Sequence, residues 1–134
     1  MNRSDRPSAL VVEDEFLIAQ EMVAELRAQG FEDVQTASSL AEGEACLRKR
    51  TFAFAILDVN LGSELVFPLA EKLSRKHVPF VFCTAMSKRD MPAKWSRFPA
   101  LSKPFDGATL AALMPIAAAA PQRARRTLAE RRPA

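Results

Sequence analysis

Short uninterrupted apolar runs alternate along this chain with longer segments in which apolar residues recur at helical spacing. The runs Ala9–Val12, Val34–Ala37, Phe52–Leu57, Phe80–Cys83 and Ala100–Ser102 are too short for free-standing amphipathic helices, and they read as strands buried on both faces. Between the first two, Ile18, Met22, Val23 and Leu26 share one face of a helix from about Phe16 to Gln29, with Gly30 placed for a left-handed cap. Ser39 and Glu42 form a capping-box pattern that starts a second helix running to about Arg48. A third covers about Val66 to Lys76, where Pro68 is tolerable only in the first turn, so the loop after Asp58 spans several residues. Ser87 to Phe98 contains Pro92, scattered charges and no clear apolar face, and predicts a short or mobile fourth helix. A last helix is capped by Asp106, carries Leu110, Leu113 and Met114, and is kinked or ended by Pro115. Repeated strand and helix units of this kind predict one α/β domain, a five-stranded parallel sheet with five helices over residues 8–118, flanked by flexible termini at 1–7 and 119–134.

Length and composition narrow the picture without changing it. The chain has 134 residues, enough for one core, and at 49% hydrophobic and 26% charged it is neither disordered nor a disulfide scaffold. Its apolar runs fall far short of the roughly 20 residues of a membrane span, and Ala9–Val12 is too brief for a signal peptide, so cytoplasmic residence is expected. Cys46 and Cys83 lie in apolar segments without metal-ligand spacing and read as free thiols. The net charge of +3 is concentrated: residues 121–134 carry five arginines and one glutamate, leaving −1 for residues 1–120. Lysines and arginines interleaved with aromatics, the pattern of a nucleic-acid reader, are not seen on the domain, and the tail reads first as a solvated extension.

In an open parallel sheet the loops at the carboxyl ends of the strands converge on one crevice. Those positions hold Glu13, Asp14 and Glu15 after strand one, Asp58 after strand three, Thr84 and Ala85 after strand four, and Lys103 and Pro104 after strand five. Singly, each has an ordinary explanation: a solvated turn, a cap, a β-branched strand residue, a surface cation. Their recurrence at the same end of four strands points to a shared site. Three carboxylates with a hydroxyl and an ammonium suit Mg²⁺, a hard cation that takes oxygen ligands and keeps waters for a phosphate to displace, with the lysine opposing the phosphate. Glu15 is assigned instead to the start of the first helix.

The stretch Leu10-Val11-Val12-Glu13-Asp14-Glu15, the strand ending in Leu57-Asp58, the Thr84-Ala85 pair and Lys103-Pro104-Phe105 resemble the receiver domain of two-component response regulators. The resemblance implies a flavodoxin-like, doubly wound sheet in the order 2-1-3-4-5. It further implies that Asp58 is the phosphoacceptor for a sensor histidine kinase. Glu13 and Asp14 match the acidic pair that holds Mg²⁺, with Asp14 the direct ligand and Glu13 acting through water. Asn60 matches the position that offers the metal a backbone carbonyl, Thr84 and Lys103 match the contacts to phosphoryl oxygens, and the Lys103-Pro104 bond is expected to be cis. Many receivers carry a tyrosine or phenylalanine three residues before the lysine, where this chain has Ala100, so switching must use other groups, with Trp95 and Phe98 as candidates.

Asp58-Val59-Asn60-Leu61-Gly62, Phe67-Pro68-Leu69-Ala70 and Val78 to Met86 resemble the FATGUY subgroup of receivers, although Phe82-Cys83-Thr84-Ala85 ends in alanine where that subgroup has glycine. Its members are mostly stand-alone receivers served by kinases of the HWE or a related class. No DNA-binding or other output domain is expected after residue 118, so output should pass through a downstream protein partner or a phosphotransfer protein. Two other readings compete. An aspartyl-nucleophile phosphohydrolase would need a carboxylic acid two residues after Asp58, where Asn60 stands. The alternative kept open is a receiver-like protein interaction module that is never phosphorylated.

Overall fold

The computed structural model describes residues 7–85, 91–103 and 105–115. In chain order the elements are β1 (Ser8–Val12), α1 (Phe16–Ala28), β2 (Asp33–Ala37), α2 (Leu40–Lys49), β3 (Phe54–Asp58), the two-residue strands β4 (Asn60–Leu61) and β5 (Glu64–Leu65), α3 (Phe67–Arg75), β6 (Phe80–Thr84) and β7 (Ala100–Ser102). A fourth helix, α4, occupies 107–115. The five long strands form one sheet in the order β2-β1-β3-β6-β7, every pair parallel. This is the order that the resemblance to receiver domains implies.

Both faces of the sheet are covered, which is why its strands read as continuous apolar runs. On one face Leu10, Val12, Ala55, Leu57, Phe80 and Phe82 pack with Leu47 of α2 and Leu69 and Leu73 of α3. On the other, Ala9, Val11, Phe54, Ile56, Val81 and Cys83 pack with Met22, Val23 and Leu26 of α1 and Leu110 of α4. The assignment alternates residue by residue, as a period of two requires. Helix starts follow the local chemistry. Ser39 Oγ accepts from the Glu42 amide at 3.2 Å, but the Glu42 carboxylate reaches back to the amide and hydroxyl of Ser38, one residue further than a capping box places it. Asp106 Oδ1 accepts from the amide and hydroxyl of Thr109, both at 2.8 Å, and caps α4. Pro68 sits in the first turn of α3.

The expected fourth of five helices is corrected. Residues 91–98 form hydrogen-bonded turns, with the amides of Trp95 and Ser96 both donating to the Pro92 carbonyl, while positions 87–90 of that expected helix lie outside the described residues. Nor does the segment lack an apolar side: Met91, Trp95 and Phe98 are all buried. Their burial is set by rings on β6, against which Trp95 and Phe98 pack. A second difference lies after Asp58, where the expected loop contains the β4–β5 hairpin, turning at Gly62 with φ of +65°. Glycine is the residue that takes this left-handed backbone without strain, and the Gly62-Ser63 pair is the one local signal that could have marked the turn. Pro104 and the arginine-rich tail lie outside the described residues, and with them the Lys103-Pro104 bond.

Candidate functional site

Four strands deliver the site. Glu13 follows β1 directly and its amide continues the ladder to the Ala37 carbonyl of β2 at 2.9 Å, so its side chain is fixed at the sheet's carboxyl edge. Asp58 is the last residue of β3 and Thr84 the last of β6, both buried. Lys103 follows β7, with its amide donating to the Thr84 carbonyl at 3.2 Å. A carboxylate oxygen from each of Glu13, Asp14 and Asp58 lies within 4.8 Å of the others. The sequence-predicted residues are therefore brought together.

Lys103 Nζ stands between two of these carboxylates, donating to Glu13 Oε1 at 2.9 Å and to Asp58 Oδ2 at 3.1 Å. The Glu13 and Asp58 side chains are 0% and 6% exposed, so the contacts are made in a desolvated setting where charge is weakly screened. The other oxygens have lighter partners: Asp58 Oδ1 accepts from the Asn60 amide and Glu13 Oε2 from the Glu15 amide, each at 3.3 Å. Asn60 thus meets the site through its N–H. Asp14 is exposed, and the Gly62 turn lies beside it, near enough that a Cβ there would be 3.8 Å from Asp14 Oδ2. The hairpin is the part of the site that sequence reasoning missed.

The electrostatics follow from this packing. Burial first, and the adjacent Asp58 carboxylate second, push the Glu13 carboxyl above its ordinary 4.5, against the opposing pull of Lys103. For Lys103, burial disfavours the charge, but the hydrogen bonds to Glu13 and Asp58 outweigh it and hold the ammonium above the ordinary lysine value. Burial pushes the thiol of Cys83 on β6, which is paired in register with Asp58, up to about 12, so it is a neutral apolar filler.

One pH dependence is expected. A carboxyl with a raised folded-state pKa binds more protons folded than unfolded, so its contribution to stability is complete below the unfolded value and is lost as pH rises through the folded one. In metal-free protein the denaturation midpoint should fall more for wild type than for Glu13→Gln as pH rises from 4.5. Parallel curves for the two proteins would assign the titration elsewhere.

Three carboxylates against one ammonium leave an excess of negative charge that a divalent cation would balance. The donor set is all oxygen, and its 4.8 Å spread is near the about 4 Å across an octahedron of 2.0–2.1 Å bonds, so the residues fit Mg²⁺ with water completing the shell.

The family described as "Response regulator receiver domain" matches residues 9–114. Among solved structures, SdrG from Sphingomonas melonis Fr1 is 34% identical at a TM-score of 0.74, covering 84% of this chain and 96% of that one. The BeF3-activated conformation of SdrG, from Pseudomonas melonis Fr1, is 36% identical at a TM-score of 0.69, covering 83% and 93%. The response regulator TrrA from Thermotoga maritima, solved with Mg²⁺ and BeF, is 22% identical at a TM-score of 0.71 over 83% of this chain and 98% of that one, a likeness of fold alone. Nothing matches among the curated proteins. No described helix is long and apolar enough to cross a membrane.

Proposed function

The chain belongs to the family of response regulator receiver domains, whose acidic pocket binds Mg²⁺, and from that premise we propose that it is a receiver phosphorylated on Asp58 by a histidine kinase. The observation that carries the reading is the pairing of Asp58 with Lys103 inside the acidic cluster. A carboxylate can attack phosphorus only if its own charge and that of the phosphoryl group are neutralised together. Lys103 already lies on the Asp58 carboxylate, and Mg²⁺ when bound supplies the rest of the positive charge.

Asp58 Oδ forms the new P–O bond as the P–N bond to the kinase histidine breaks, giving an aspartyl phosphate and a free imidazole. Asp14 would hold the metal directly and Glu13 through water, with Asp58 and the backbone carbonyl of Asn60 as the protein's other ligands. Lys103 stays with the phosphoryl oxygens and Thr84 donates its hydroxyl to one of them. The receiver extends over residues 8–118, works in the cytoplasm, and belongs to the FATGUY subgroup. SdrG has a BeF3-activated conformation, and we carry a corresponding phosphoryl-dependent switch over to this chain.

Phe16 and Leu17 support a docking partner at this edge. They follow the acidic residues in sequence and are 73% and 75% exposed at the start of α1, an apolar rim for the surface that presents the phosphohistidine. The partner is a kinase of the HWE or a related class, or a phosphotransfer protein, and output passes to a downstream protein. The test is transfer from an autophosphorylated HWE-class kinase. Wild type should take up label, Asp58→Asn should not, and deleting residues 121–134 should leave the rate unchanged. Equal labelling of Asp58→Asn would remove Asp58 from the role, and a large loss on truncation would give the tail a part in transfer.

A further inference from the structure

Phe80, Phe82 and Thr84 occupy alternate positions of β6 and so share one face of the sheet, with the two rings buried below the hydroxyl. Phe82 is paired in register with Ala100 of β7, whose small side chain packs against the same aromatic core. The space beside Phe82 is taken by Trp95, with centroids 5.9 Å apart and rings at 83°. Trp95 also stacks on Phe67 at 5.9 Å and 9°, and Phe67 meets Phe82 directly at 5.7 Å and 75°, so the three rings close a triangle.

Phe67 begins α3, at the end of the hairpin that leaves Asp58. That hairpin is closed by the Val66 amide donating to the Val59 carbonyl at 3.0 Å, and Val59 is itself tied to β6 through the Cys83 carbonyl at 3.1 Å. Trp95 therefore touches the chain that follows the phosphoacceptor and the strand that ends in Thr84. Its own segment is held to α3 by Lys94, whose Nζ donates to Glu71 at 2.5 Å and lies 5.1 Å from the centroid of the Trp95 ring.

We propose that Trp95 is a positioning residue that couples the phosphoryl site to the 91–98 segment, by packing against both Phe67 and Phe82. Rings in a close-packed core have few arrangements open to them. If Thr84 moves toward a phosphoryl group while the 59–66 hairpin adjusts around Asp58, Phe82 and Phe67 shift relative to one another, and the indole packed on both must repack. The 91–98 segment moves with it. This inference rests on the receiver reading above.

Trp95 is the chain's single tryptophan, so its emission reports this site alone. The experiment adds Mg²⁺ and beryllofluoride to the full chain and follows indole emission beside the ¹⁹F NMR signal of bound beryllofluoride. The expected result is an emission shift that saturates together with the ¹⁹F signal, and that is at least halved in a Thr84→Ala variant still binding the probe. A ¹⁹F signal with no emission change in wild type would overturn the coupling and leave the receiver reading standing. An undiminished shift in Thr84→Ala would overturn it as well. No bound ¹⁹F signal in wild type would defeat the receiver reading and this inference with it. As a further arm, Trp95→Phe should keep, and Trp95→Ala should lose, the probe-dependent amide shifts of residues 91–98, whereas equal shifts in both variants would contradict a role for the ring.

Discussion

Lys103→Ala is expected to lose about 2 kcal/mol of stability in metal-free protein and to recover most of it on adding Mg²⁺. Removing one partner of a buried ion pair costs roughly 3–5 kcal/mol because the other charge is stranded. Here the Lys103 side chain is 21% exposed and Glu13 can take up a proton, so the smaller figure applies. The variant should still bind Mg²⁺, since the ammonium opposes the phosphoryl group and is no ligand of the metal. Phosphorylation should slow by roughly a hundredfold, the scale for losing one preorganised contact to a developing anion. Denaturation curves with and without Mg²⁺, alongside the rate of phosphorylation by a small phosphodonor, check both parts. If Lys103→Ala loses metal affinity as completely as Asp14→Ala, the roles given to these two residues are wrong.

Phe80→Ala should be the most destabilising of the aromatic truncations, by about 3–5 kcal/mol, a range typical of a large buried ring replaced by a methyl group. Its ring is 0% exposed and meets Phe82, Trp95 and Phe98 with centroids 5.3, 6.4 and 5.0 Å away. Those neighbours are fixed on β6 itself and on the 91–98 turn segment and cannot all collapse into the space. Total stability is usually only about 5–15 kcal/mol, so the variant should be marginal at room temperature in urea titrations. A loss under 1 kcal/mol would mean that the cluster relaxes far more than its packing suggests.

The strands were legible because a parallel sheet covered on both faces needs uninterrupted apolar runs, and Ala100–Ser102 stands where its run lies. Phe52 is the exception. It is buried but precedes β3, whose pairing with β1 begins at Phe54 opposite Ala9. The 91–98 segment was not legible. Pro92 and the scattered charges around it suggest a poor helix, and only the rings of β6, distant in sequence, explain why Met91, Trp95 and Phe98 are inside.

The site was legible for a topological reason. Strand ends converge, so Glu13, Asp14, Asp58, Thr84 and Lys103 could be grouped from position alone. What position could not supply was contact. Sequence reasoning set Lys103 against a phosphate, whereas in the structure its ammonium bridges Glu13 and Asp58, a pairing across 90 and 45 residues of chain that depends on side-chain reach. The same limit hid the Gly62 turn beside Asp14, since a two-residue hairpin between Leu61 and Glu64 carries too few apolar positions to stand out.

The central claim is that Asp58 accepts a phosphoryl group in a Mg²⁺-dependent reaction. Intact mass before and after incubation with a small phosphodonor tests it most directly, with and without Mg²⁺, on wild type and Asp58→Asn. The account predicts a gain of one phosphoryl group in wild type with Mg²⁺ and none in the variant or in chelator. A gain of the same size in Asp58→Asn, or one in wild type indifferent to Mg²⁺, would contradict it.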